Sequence, residues 1–97
     1  MAFFKLTPKA YQALKDIGAY SERRWGKEKR NAYLQKLDKR FTWLAENPSY
    51  GHARNDVGSG YFSFREGKHL IFYTIHHKHI NIIGIPHTSM DVISYLY

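Results

Sequence analysis

Arg65, Lys68, His69, Tyr73 and His87, all in the last third of the 97-residue chain, are residue types that cleave RNA without a metal. That reaction needs a base for the 2′-hydroxyl proton, an acid for the leaving oxygen and cations for the phosphorane charge. In a ribonuclease Arg65, His69, Tyr73 and His87 would carry the chemistry. No spacing rule brings the set together, and a single His at a strand end is more often held by a hydrogen bond than used in catalysis. A second group, His76, His77 and His79, is close enough for two of its members to share a metal. It has no adjacent carboxylate and falls in an expected hairpin turn, so it reads as a polar turn, and neither metal nor cofactor is expected. A third group, Arg23, Arg24, Lys27, Lys29 and Arg30, sets five cations within eight residues. It reads either as a docking patch for an acidic protein or nucleic acid, or as a solvated helix end opposing the helix dipole.

The rest of the sequence narrows the chemistry by exclusion. There is no cysteine, which removes disulfides, cysteinyl metal sites and thiol nucleophiles together. No phosphate-cradling glycine loop, nucleophile elbow, pair of carboxylates at helical spacing or DNA-reading helix pattern is present. The formal charge is +7, and residues 9 to 40 hold ten basic residues against Asp16, Glu22, Glu28 and Asp38. Such a charge favours acidic proteins, nucleic acids or anionic surfaces as partners. No apolar run approaches the roughly 18 residues of a membrane span, so no membrane partner and a cytoplasmic location are expected.

The elements that must position these residues follow from periodicity. Length and an apolar content of 43% allow one compact domain over residues 1 to 97. Phe3 to Leu6 reads as an opening strand, followed by Thr7 as N-cap and Pro8 at the first helical position. Tyr11, Leu14, Ile17, Gly18, Ser21 and Trp25 then form one stripe ending at Gly26, and Tyr33, Leu34, Leu37, Phe41 and Leu44 a second ending at Asn47-Pro48. The short connection between them makes a helical hairpin. Residues 47 to 60 read as a long irregular loop. Tyr61 to Arg65, His69 to Ile75 and Ile80 to Ile85 read as a meander of three strands split by tight turns. The expected fold is α+β, in the order β-α-α-β-β-β, with an antiparallel four-stranded sheet on the helical hairpin.

The last two strands are apolar at both parities, which a sheet with one wet face would not show. The second face is therefore expected to be covered, by the C-terminal segment or by a partner. Val92, Ile93, Tyr95, Leu96 and Tyr97 are five bulky residues among the final six. The segment is expected to pack over Tyr73 and Ile85, or else to belong to a partner surface.

Five segments in order carry a family resemblance: Arg24-Trp25-Gly26, Leu44 to Pro48, Gly60-Tyr61, Gly67 to Tyr73, and His87 to Asp91. With these the chain resembles, over nearly its whole length, the ParE toxins of bacterial type II toxin–antitoxin modules, within the RelE/ParE superfamily. The resemblance implies the fold just described and binding rather than catalysis. It implies poisoning of DNA gyrase, with a ParD-like antitoxin whose C-terminal segment wraps the toxin in a hetero-oligomer. RelE relatives instead cut messenger RNA on the ribosome. Here Phe62 and Gly84 replace the family's usual arginines, and Pro86 its usual leucine. Losing those cations counts against ribonuclease activity. Three readings stand: gyrase-directed toxin, RelE-like nuclease, and an inactive homologue that binds only antitoxin. The residues expected to meet partners are Arg23, Arg24, Lys27, Arg30, Tyr61, Tyr73, His87, Tyr95 and Tyr97. An acidic antitoxin tail is expected to lay an amphipathic helix along the hairpin groove and to extend as a strand beside the sheet.

Overall fold

A computed structural model describes residues 2–97. Strand β1 (Phe3–Leu6) leads at once into α1 (Pro8–Trp25), because the Thr7 hydroxyl accepts the Ala10 N–H at 3.2 Å and Pro8 occupies the first turn, where no donor is needed. Gly26, at φ 89°, is the single residue between α1 and α2 (Lys27–Glu46). Its N–H bonds back to the Glu22 carbonyl at 2.9 Å while its own carbonyl accepts Arg30 N–H at 3.1 Å, so it ends one helix and starts the next. α2 stops where the Asn47 backbone and side-chain amides both reach the Trp43 carbonyl and Pro48 follows.

The segment expected to be an irregular loop contains a short 3₁₀ turn (Pro48–Tyr50) and a two-residue strand, β2 (His52–Ala53), paired with Ser63 and Phe62. The meander is present as β3 (Tyr61–Glu66), β4 (His69–His76) and β5 (His79–Gly84), with Lys78 at φ 70° in the second turn. The sheet has five strands in the order β1-β5-β4-β3-β2, and β1 runs parallel to β5. The expected all-antiparallel, four-stranded sheet is corrected on both points. A parallel neighbour needs a long crossover, and here the helical hairpin and the meander together supply one.

One face of the sheet meets the hairpin. Leu37, Phe41 and Leu44 pack with Ala10, Ile71, Tyr73, Ile80, Ile82 and Ile85, all almost fully buried. Two members of the expected α1 stripe lie outside this core: Tyr11 and Trp25 are 55% and 52% exposed. Tyr11 instead borders a hollow of about 350 Å³ between the helices and Phe4 and Leu6 of the edge strand β1.

The other face carries Ser63, Phe72 and Gly84. It is covered by the chain itself, through a short C-terminal helix, α3 (Val92–Leu96), and the loop at residues 54–58. The Arg54 guanidinium lies 5.0 Å from the Phe72 ring centroid and donates to the Ser63 hydroxyl. Asp91 caps α3 by accepting the Ile93 N–H at 3.1 Å. Among the described residues no helix is long and apolar enough to cross a membrane.

Candidate functional site

A concavity of about 1090 Å³ lies between α1, the β3–β4 turn and the segment after β5. It follows from helical geometry: Lys9, Ala13, Asp16, Ile17, Tyr20 and Arg24 recur at three- and four-residue steps, so they share one face of α1, which forms a wall of the cleft. Its lining is mostly apolar. Four cations, Lys9, Arg24, Lys29 and Lys68, stand against one carboxylate, Asp16.

The opposite wall is fixed by backbone bonds. Leu70 N–H donates to the Pro86 carbonyl at 2.9 Å and Thr88 N–H to the Lys68 carbonyl at 2.8 Å, so the segment after β5 is stitched to the start of β4. This bridges His69 to His87 and sets their rings edge to face, with centroids 5.5 Å apart. His87 Nδ1 accepts the Ser89 N–H at 3.1 Å, which puts the proton of the neutral ring on Nε2. The Tyr33 hydroxyl is 2.6 Å from His69 Nδ1 and 3.2 Å from the Glu66 carbonyl. Burial pushes the Tyr33 hydroxyl pKa up, with the Glu66 charge adding to the shift, so the phenol keeps its proton. Burial, and secondly the neighbouring His87, lower His69 to about 4, which leaves it neutral at physiological pH.

Of the residues proposed for a ribonuclease, the structure brings His69, His87 and Lys68 to one wall and separates the other two. Tyr73 is wholly buried on the hairpin face, its hydroxyl donating to the Pro48 carbonyl at 2.7 Å, over Gly51, where a Cβ would run into the ring. Neither a reacting group nor a partner contact is available from it. Arg65 is exposed on the opposite face of β3, where its Nε donates to the Gly67 carbonyl at 2.8 Å.

The residues proposed for partner contact also divide. Arg24 and His87 line the cleft, Arg23 and Lys27 are exposed near the joint of the helices, and Arg30 is ion-paired with Glu22. Tyr61 and Tyr97 belong to the second face, and Tyr95 both covers that face and lines the cleft beside Lys9. The Tyr95 hydroxyl accepts the Ile85 N–H at 3.3 Å, and the Tyr97 hydroxyl donates to the Val57 carbonyl at 3.0 Å. The C-terminal segment therefore packs beside Ile85, as expected, but lies over Gly84 and not over Tyr73, which points the other way. His76 and His79 stack at 4.9 Å in their turn, and no group of three or more potential ligands is assembled among the described residues.

Phe62, Gly84 and Pro86, where the resemblance led to other residues being expected, have local explanations. Phe62 stacks on Tyr73 against the core, at 5.8 Å. A Cβ at position 84 would sit 2.7 Å from the Tyr95 ring, so Gly84 makes room for the tail. Pro86 is buried, and its carbonyl holds Leu70. Sequence reasoning missed Tyr33 as a site residue by assigning it to an apolar stripe. A phenol within a row of leucines was the signal, since its hydroxyl must find a partner when buried.

A family model described as the ParE toxin of the type II toxin–antitoxin system, parDE, matches residues 4–92. Toxin ParE1 of Caulobacter vibrioides is 32% identical over 93 residues, covering 96% of each chain. Toxin ParE1 of Mycobacterium tuberculosis is 30% identical over 90 residues, covering 92% of each. A solved structure described as the chromosomal ParDE system from P. aeruginosa matches with a TM-score of 0.75 at 21% identity, over 90% of this chain and 96% of the other, which shows the shared fold.

Proposed function

The chain belongs to the ParE toxin family of type II toxin–antitoxin systems, and from that premise we propose that it acts in the cytoplasm by binding alone, poisoning DNA gyrase until a ParD-like antitoxin occupies it. The observation that carries this reading is the cleft: a wide, mostly apolar concavity with a cationic rim, suited to an acidic amphipathic segment. The antitoxin helix lies along the α1 wall, apolar side inward, in a toxin–antitoxin hetero-oligomer. Catalysis is the weaker reading because the acid–base set is dispersed: Tyr73 is enclosed and Arg65 faces away from His69 and His87.

Induction of the chain in bacteria separates the targets. The expected outcome is filamentation with a DNA damage response, and purified chain should raise the yield of gyrase-cleaved DNA. Abrupt arrest of translation with ribosome-dependent cuts, lost in His87→Ala, would instead establish the nuclease. An absence of both would leave an antitoxin-binding homologue.

A further inference from the structure

We infer that Lys68 and His87 form a carboxylate-receiving subsite in the wall of the cleft, and that it takes one Asp or Glu side chain of the antitoxin segment that fills the cleft. The inference rests on the antitoxin reading above and adds to it a fixed anchoring point.

Three observations carry it. First, Lys68 has no acidic partner: the ion pairs among the described residues are Arg30–Glu22, Arg40–Glu66 and Arg54–Asp56. Its ammonium is exposed at the turn, free to meet an anion. Secondly, the tautomer of His87 is set by the Ser89 N–H on Nδ1, so the remaining ring nitrogen is a donor. Thirdly, the backbones of the two residues are fixed side by side before any partner arrives, since Thr88 N–H is bonded to the Lys68 carbonyl and His87 is bridged to His69. A cation beside a ring N–H donor favours a carboxylate over a hydroxyl or an amide, because charge-assisted bonds are about twice as strong as neutral ones.

The neighbours leave the subsite open to a carboxylate. His69 is neutral beside His87, with the Tyr33 hydroxyl on its Nδ1, and the other charged groups lining the cleft are Lys29 of α2 and Arg24, Lys9 and Asp16 of α1.

The test uses the full chain and the product of a short acidic reading frame adjoining its gene, taken as the antitoxin, with affinity measured by calorimetry. Lys68→Ala, a change at an exposed turn residue, is expected to weaken binding about 10- to 100-fold. One Asp or Glu of the antitoxin should lose a similar factor on replacement by Ala and lose nothing further in combination with Lys68→Ala. His87→Ala should weaken binding by a smaller factor, and His87→Gln, which keeps a side-chain N–H donor, should restore part of it. If the antitoxin binds tightly but no acidic residue couples to Lys68, the subsite is overturned and the antitoxin reading survives. If the adjoining protein does not bind the wild-type chain at all, both fall together.

Discussion

On one face of the sheet, helices of 18 and 20 residues press Leu37, Phe41 and Leu44 onto Ile71, Ile80 and Ile82. On the other, a helix of five residues and a loop are held by the tyrosine hydroxyls of residues 95 and 97, an Asp91 cap and the Arg54 guanidinium over Phe72. The first face is closed by apolar area and shape; the second by a few directional contacts across a thin cover. Stability should therefore sit with the hairpin, and the tail should be the part that is removed most easily.

The largest effect expected is that of Phe41→Ala. Phe41 is 1% exposed and meets Phe4 edge-on at 5.3 Å, so truncation should cost about 3–5 kcal/mol in denaturant unfolding. A loss below about 1 kcal/mol would mean that the hairpin face is not the dominant core. Deleting residues 92–97 comes next, at roughly 1–3 kcal/mol for about 25 cal/mol per Å² of apolar surface uncovered. With that loss, antitoxin binding and toxicity should fall together. If stability and antitoxin affinity stayed unchanged while gyrase poisoning vanished, the tail would be a target contact and not a cover.

Smaller again is Gly84→Ala. The added methyl meets the Tyr95 ring rather than backbone, so the tail shifts and the sheet stays; about 1 kcal/mol is expected. The last effect is one of pH. His69 is held near 4 in the fold against about 6.5 unfolded, so the unfolded chain binds the extra proton between those values. Its contribution to stability is complete above about 6.5 and is lost as pH falls toward 4, and His69→Gln should reduce that slope in melts recorded across the window.

How much of this was legible in the sequence follows the same division. The hairpin face announced itself through the stripes Leu34-Leu37-Phe41-Leu44 and through Thr7-Pro8, because helical period and capping are local properties. The meander was equally plain from its β-branched runs. The parallel pairing of β1 with β5 was not, since register between strands more than seventy residues apart depends on the completed core. Nor was the orientation of Tyr73. It lies in a run that is apolar at both parities, and only the packed structure shows that Ile71 and Tyr73 face the helices while Phe72 faces the tail. At the cleft, His69, His87 and Lys68 were visible as chemical types, but the bonds that stitch them together run between backbone groups and leave no mark on residue identity.

The free edge of β1 has a colloidal consequence. Its four residues pair only with β5, Phe3 is 47% exposed, and Phe4 and Leu6 border an unfilled apolar hollow, a combination that invites other strands to add. The guard against this is Lys5 within the strand and, at longer range, the +7 charge that keeps copies apart. That repulsion fades beyond about 8 Å at physiological ionic strength and sooner in stronger salt. Free toxin should therefore disperse best in dilute buffer and self-associate as salt is raised, the reverse of a protein whose aggregation is driven by attraction between opposite charges.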